Sequence, residues 1–269
     1  MESSVADRAQ GGPFHTVTPT LESWALSQVA GVTVFLKCEN MQPTGSFKIR
    51  GIGHFCQEVW DQANLRAQEL AKRDSWVNVS PFDHPLIWEG HASLVRELKA
   101  ALGTPPGALV LAVGGGGLLA GVVAGLVEVG WQHVPIIAME TRGAHSFNAA
   151  VKAGRLVTLP DITSVAKCLG AKTVAARALE CTQECRILSE VVEDAEAVSA
   201  VQRFLDDERM LVQPACGAAL AAVYSGLLGR LQAEGHLQPG LTSVVVIVCG
   251  GSGIDSRGLQ ALKTQLGLP

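Results

Sequence analysis

Residues 109–129 read LVLAVGGGGLLAGVVAGLVEV, and the order of segments in this part of the chain indicates the fold class. Leu109–Val113 has the length and the continuous hydrophobicity of a parallel strand covered on both faces. Leu118–Val129 has the pattern of a buried helix, and four glycines join the two segments. A strand, a glycine loop and a helix in this order predict one unit of an α/β fold.

The same alternation continues along the chain. Further runs of strand length are Val32–Lys37, Val134–Met139 and Val244–Cys249, and helix patterns cover Asp194–Arg209 and Ala215–Leu231. Repeated strand–helix alternation predicts an α/β fold with a doubly wound, mostly parallel sheet.

The composition excludes several classes of protein. Of 269 residues, 48% are apolar and 17% charged, which is typical of a packed globular chain rather than a disordered one. The net charge of −4 leaves no basic excess for nucleic acid. An apolar run at 108–127 has spanning length, but glycines at its middle make a membrane span unfavourable. We expect a cytoplasmic protein, because the sequence shows no apolar secretory segment and its seven cysteines form no C-x-x-C pair.

The glycine loop predicts a phosphate site. Backbone N–H groups of Gly114, Gly115, Gly116 and Gly117, with Leu118 at the start of a helix, can converge on an anion that the helix dipole also attracts.

A dinucleotide fingerprint is an alternative interpretation of the same segment. Gly115-x-Gly117-x-x-Ala120 matches its spacing, and Glu140 ends the next strand, where an acid that binds ribose would lie. No second feature of the sequence supports hydride chemistry.

Two further segments could carry chemistry. Ser46 follows a turn signal as a predicted N-cap, which puts Lys48 in the first helical turn, where the positive helix end favours a nucleophilic amine. Cys249 ends a predicted strand before Gly250 and Gly251, at the sheet edge where α/β proteins bind ligands.

Taken in order, the segments S-F-K-x-R, G-G-G-G-L and C-G-G resemble those of the fold-type II pyridoxal-phosphate lyases of the serine/threonine dehydratase family. Supporting stretches are Phe35–Asn40, Pro81–Pro85 and Met139–Ala144. The resemblance covers nearly the whole chain and implies pyridoxal 5′-phosphate as the cofactor.

The resemblance also implies roles for individual residues. Lys48 would carry the cofactor as a Schiff base and act as the catalytic base, and the loop from Gly114 to Leu118 would hold the phosphate. Phe47 and Cys168 would cover the two faces of the pyridine ring, and Cys249 would meet its nitrogen. Glu140 and Ala144 match positions that form a monovalent-cation site, for potassium, in this family.

The activity that the resemblance implies is β-elimination from L-serine, and more weakly from L-threonine. The products would be pyruvate or 2-oxobutanoate, with ammonia. The expected partner is a small amino-acid substrate, and a homodimer is a further expectation.

One departure from the family concerns the substrate site. Between Lys48 and Gly114 there is no Ser-x-Gly-Asn-Ala-type loop, which in the family cradles the substrate carboxylate. A charged helix pattern at Glu58–Arg73 follows the helix pattern from Ser46 almost directly. At about 30 residues per strand–helix–strand unit, roughly two units are missing.

We therefore predict a large cofactor domain at 1–41 and 85–269, with a truncated small α/β domain at 42–84. Two other functions stay open beside the lyase. The chain could be a catalytically silent form that still binds the cofactor, or a protein that binds a nicotinamide dinucleotide.

Overall fold

The computed structural model describes residues 13–52 and 80–269. The strands are β1 Thr20–Ser23, β2 Thr33–Lys37, β3 Ala108–Ala112, β4 Ile136–Thr141, β5 Ile187–Val192 and β6 Ser243–Ile247. The helices are α1 Trp24–Ala30, α2 Pro85–Leu102, α3 Gly117–Glu128, α4 Ser146–Ala153, α5 Ala176–Glu180, α6 Asp194–Glu208, α7 Pro214–Tyr224, α8 Leu227–Ala233 and α9 Ser256–Gln265. Residues 48–52 are also helical, and short 3-10 turns lie at Glu39–Met41, Lys167–Leu169 and Cys181–Gln183.

The six described strands form one sheet in the order β1-β2-β6-β3-β4-β5. All neighbours pair in parallel except β1, which runs antiparallel to β2. From β3 the chain moves outward to β4 and β5 and then returns through β6 on the other side of β3. The strand order therefore reverses at β3, which is where open α/β sheets bind their ligands.

The predicted α/β class with a mostly parallel sheet is confirmed. The four predicted strands form β2, β3, β4 and β6, with ends shifted by one or two residues. Every residue of β3 and β4 is buried, as continuous hydrophobicity requires. Two strands were not predicted. β1 has only four residues, of which two are exposed, and the hydrophobic run of β5 is interrupted by Ser189 and Glu190.

Two of the three helix predictions are confirmed and one is wrong. Those at Leu118–Val129 and Asp194–Arg209 are confirmed as α3 and α6. The single helix predicted at Ala215–Leu231 is wrong, because α7 ends at Tyr224 and α8 begins at Leu227. Gly226 separates them with a φ of +75°, a conformation that leaves the right-handed helix.

Helices α2 and α3 pack closely because of glycine. A Cβ placed on Gly121 would lie 2.3 Å from Cβ of His91, and one on Gly125 would lie 2.7 Å from Cβ of Val95. This contact brings α2 against the helix that starts at the glycine loop.

Some of the sequence features lie in parts of the chain that the structure does not describe. The helix pattern at Glu58–Arg73 and Cys56 lie outside the described residues. The six cysteines within 13–52 and 80–269 are free. In those two ranges no helix has the length and apolar character that crossing a membrane requires.

Candidate functional site

A cavity of about 260 Å³ lies at the carboxyl ends of β3 and β6. Four segments that are distant in sequence line it: residues 46–48, residues 112–119, residues 167–171 and residues 249–250. Phe82, His91 and Gln213 also line the cavity. The cavity therefore gathers the predicted lysine, glycine loop and cysteine at one place.

The glycine loop is packed so closely that side chains are excluded. A Cβ on Gly115 would lie 2.2 Å from the Phe82 ring, and one on Gly117 would lie 2.6 Å from the Phe82 carbonyl oxygen. Gly116 has a φ of +93°, and its Cβ would lie 2.5 Å from that of Ala178. Four glycines are therefore used for close approach as well as for the turn.

The same loop offers donors to an anion. Gly116 caps α3 without any side-chain hydrogen bond, so the positive end of this helix opens on the cavity. Within the described residues, no backbone carbonyl accepts the N–H groups of Gly114, Gly115 or Gly116. These N–H groups and the helix end form a cradle for a phosphate.

Lys48 reaches the cavity through a backbone pairing between two loops. The Phe47 N–H donates to the Cys249 carbonyl at 3.2 Å, and the Gly251 N–H donates to the Gly45 carbonyl at 3.1 Å. Residues 45–47 thus run beside the segment that follows β6. The Lys48 side chain is exposed, and its Nζ lies 5.6 Å from the centre of the Phe47 ring.

The predicted cap at Ser46 is displaced by one residue. The helical residues begin at Lys48, and Ser46 instead forms an antiparallel bridge with Gly250. The Ser46 hydroxyl still accepts the Lys48 backbone N–H at 3.4 Å. Lys48 is therefore the first residue of the helical segment, at its positive end.

Cys249 lies in the cavity wall as a neutral thiol. It is only 8% exposed. A hydrogen bond with the Cys216 thiol and burial together hold the pKa of Cys249 well above its usual range. A thiol in this state can approach a ring nitrogen without bringing a charge to it.

Cys168 also lines the cavity, and it has a hydrogen-bond partner that the sequence did not indicate. Its Sγ donates to Oε1 of Gln213 at 2.9 Å. The 3-10 turn that carries Cys168 lies against the glycine loop, since a Cβ on Gly114 would be 3.1 Å from the Cys168 carbonyl oxygen. Gln213 precedes α7 and donates its backbone N–H to the Gly250 carbonyl. It therefore links the turn that carries Cys168 to the segment that follows β6.

His91 is a cavity residue that sequence reasoning missed. Its ring packs edge-on against Phe47, with 5.0 Å between the ring centres. Burial, with the positive charges of Arg50 and Lys48 nearby, lowers the pKa of His91 to about 3. Nδ1 is buried and has no hydrogen-bond partner within the described residues. In the sequence it is only a histidine on the apolar face of α2.

Glu140 lies near the end of β4, and Ala144 lies in the turn between β4 and α4; neither is on the cavity wall. The Glu140 carboxylate accepts the N–H groups of Phe147 at 2.9 Å and of Asn148 at 2.7 Å. Burial raises the pKa of Glu140 to about 8, although these two donors act in the opposite direction. Glu140 is fully buried, which argues against its binding a ribose hydroxyl.

The Ala144 N–H donates to the Thr141 carbonyl at 2.9 Å and closes the same turn. No cluster of three or more His, Cys, Asp or Glu side chains could hold a metal in the described part of the chain. A potassium site at Glu140 and Ala144 stays a prediction.

Comparison with known proteins identifies the family to which the chain belongs. The sequence profile of the pyridoxal-phosphate dependent enzymes matches residues 53–250, which include the glycine loop and Cys249 and begin after Lys48. The human protein called serine dehydratase-like is 67% identical over 327 aligned positions, covering 99% of both chains. Human L-serine dehydratase/L-threonine deaminase is 50% identical and covers 96% of this chain and 97% of its own.

A solved structure agrees with this relationship. A fungal L-serine ammonia-lyase from Rhizomucor miehei is 34% identical, with a TM-score of 0.83, covering 94% of this chain and 99% of its own.

The alignment with the human serine dehydratase-like protein also bears on the missing segment. It is 327 positions long, 58 more than the 269 residues of this chain, yet it covers 99% of both proteins. The additional positions of the relative are therefore almost all internal. The chain belongs to the family of pyridoxal-phosphate dependent enzymes, and over nearly its full length it is similar to the mammalian serine dehydratase-like proteins, from which it differs by the absence of internal residues.

Proposed function

We propose that the cavity binds pyridoxal 5′-phosphate, with Lys48 as the residue of attachment. The observation that carries this proposal is the convergence of Lys48, the glycine loop and Cys249 on one cavity of about 260 Å³. The loop fits a phosphate because close packing excludes side chains there and its N–H groups meet the positive end of α3.

The rest of the cavity suits the aromatic ring of the cofactor. Phe47 and Cys168 supply apolar contacts for the ring faces, and the neutral Cys249 thiol suits the ring nitrogen. When bound, the cofactor supplies an aldehyde carbon that joins to amines and a conjugated ring that accepts electrons released at Cα.

The reaction that we propose is β-elimination from L-serine, and more weakly from L-threonine. The products are pyruvate or 2-oxobutanoate, with ammonia. The free Nζ atom of Lys48 would remove the Cα proton of the substrate as a general base. Support comes from relatives whose names give serine dehydration, threonine deamination or serine ammonia-lyase activity.

A second candidate is a form that holds the cofactor but turns over little substrate. The observation that favours it is the internal segment that the relatives carry and this chain lacks. Without a loop to hold the carboxylate, the Cα–H bond of a bound amino acid is free to turn away from Lys48. We expect the 269-residue chain to keep cofactor binding and to have lost most of its turnover.

We further propose that residues 42–84 are what remains of the substrate domain, and that the chain works in a reducing compartment such as the cytoplasm. Six free thiols in the described residues support the second point.

Borohydride reduction tests the attachment to Lys48. The purified chain is incubated with pyridoxal 5′-phosphate and reduced, and peptides are then mapped for a pyridoxyl-lysine. We expect one modified residue, Lys48, and none in Lys48→Ala. Lys167→Ala is the matched control, since Lys167 also lines the cavity, and it should leave modification of Lys48 unchanged. Modification at another lysine alone would overturn the proposal.

A further inference from the structure

Arg50, two residues after Lys48, lies in a buried ion network. Its guanidinium donates from Nε to Oε2 of Glu39 at 2.6 Å and from Nη1 to Oε1 of Glu97 at 2.7 Å. Nη2 donates to the second oxygen of each carboxylate, at 2.8 and 2.7 Å. Nη1 also donates to the Ser93 hydroxyl at 3.0 Å. The guanidinium is thus held by two carboxylates that come from different parts of the chain.

The network is closed and electrically balanced. Lys37 on β2 donates from Nζ to Glu97 at 2.6 Å, so two cations face two carboxylates. The side chains of Arg50 and Glu39 are fully buried, and that of Glu97 is 12% exposed. Burial alone would raise the pKa of Glu97, but hydrogen bonds from Arg50 and Lys37 hold it below its usual value. Each of the four side chains therefore has a partner of opposite formal charge within ion-pair distance.

This network fixes one side of Lys48, and the loop pairing fixes the other. Before Lys48, residues 45–47 pair with residues 249–251. After Lys48, Arg50 joins the helical residues 48–52 to the 3-10 turn that follows β2, through Glu39, and to α2, through Glu97. Because the chain is held on both sides of Lys48, the backbone position of this lysine at the cavity is restricted. The exposed Lys48 side chain does not itself hold the backbone in place.

We propose that the network of Arg50, Glu39, Glu97 and Lys37 positions Lys48 for attachment to the cofactor. Arg50 acts through Lys48 and does not touch the cofactor. The inference rests on the proposed function, since it assumes that Lys48 is the residue of attachment. All four residues are present in this chain and lie in its described part, so the network is complete without the residues that the chain lacks.

The test separates attachment from binding to the cavity. Pyridoxal 5′-phosphate can bond to Lys48, but pyridoxamine 5′-phosphate carries an amine in place of the aldehyde and cannot. The affinity of the second compound therefore reports the phosphate cradle and the ring site alone. Arg50→Lys keeps the charge but cannot form paired hydrogen bonds with two carboxylates.

In Arg50→Lys we expect the affinity for pyridoxal 5′-phosphate to fall by about tenfold or more, as misplacement of a reacting group does. The affinity for pyridoxamine 5′-phosphate should change by less than about twofold, and borohydride should label Lys48 more slowly. A role in general stability would weaken both affinities alike, and that result, or no change in either, would overturn the inference.

The control and the second variant use the same helix, α2. Arg96 makes a paired contact with Glu128 on the exposed side of α2, so Arg96→Lys repeats the substitution away from Lys48 and should change neither affinity. Glu97→Gln carries the test if Arg50→Lys does not fold, because Glu97 lies at the partly exposed edge of the network. Failure of the unaltered chain to label at Lys48 would instead refute the proposed function.

Discussion

Gly116 offers the sharpest test of the glycine loop. Replacing it with alanine forces a residue with a Cβ to adopt a φ of +93°. A left-handed conformation costs an L-residue about 1–2 kcal/mol. The new Cβ would also lie 2.5 Å from Cβ of Ala178 and 3.0 Å from Val174, and crowding of this kind costs about 1–3 kcal/mol. The free energy of unfolding should therefore fall by about 2–5 kcal/mol.

Gly130→Ala is the matched control, because Gly130 has a φ of +76° and nothing within 4 Å of its Cβ position. It should lose only the conformational part, about 1–2 kcal/mol. Both variants are compared by denaturant unfolding and by titration with pyridoxal 5′-phosphate. If Gly116→Ala displaces one N–H group from the phosphate, a loss of about 1.5–3 kcal/mol lowers affinity by about tenfold or more. Gly130→Ala should bind normally. Equal affinities in the two variants would mean that the phosphate lies elsewhere.

Two further predictions concern pH and ligand choice. Burial lowers the pKa of His91 from 6.5 to about 3, so the unfolded chain binds more protons in this range and stability falls as the pH drops below 6.5. His91→Gln should flatten that part of a plot of Tm against pH, and an unchanged slope would contradict the account. Pyridoxal 5′-phosphate at about 100 times its Kd should stabilise the fold by about 2.7 kcal/mol. NAD at the same concentration should leave Tm unchanged, because the Glu140 carboxylate is buried and accepts the N–H groups of Phe147 and Asn148. A rise in Tm with NAD would instead support the dinucleotide interpretation.

The parts of the fold that were predictable have local causes. The strand, the glycine loop and the helix at 109–129 can each be recognised from a few consecutive residues. Strands β4 and β6 can be recognised in the same way from their continuous hydrophobicity. The break at Gly226 was missed because apolar residues continue on both sides of it. One glycine inside a helix pattern is a weak signal until its positive φ is seen.

The candidate site shows the same division. Lys48, the glycine loop and Cys249 belong to short segments with recognisable neighbours in sequence. His91 and Gln213 reach the cavity only through packing between elements, α2 on α3 and the turn before α7 on the turn of Cys168. The partners of Arg50 come from 11 and 47 residues away, and no spacing rule connects them.

A coupled pyruvate assay with L-serine shows directly whether the missing internal residues limit turnover. It compares the 269-residue chain with a version in which the internal segment of a serine dehydratase-like relative is restored. Both are loaded with cofactor, and borohydride labelling of Lys48 confirms equal loading. We expect equal labelling and a rate for the short chain that is lower by orders of magnitude, since positioning of the substrate contributes much of the rate. A comparable rate in the two proteins would contradict this expectation.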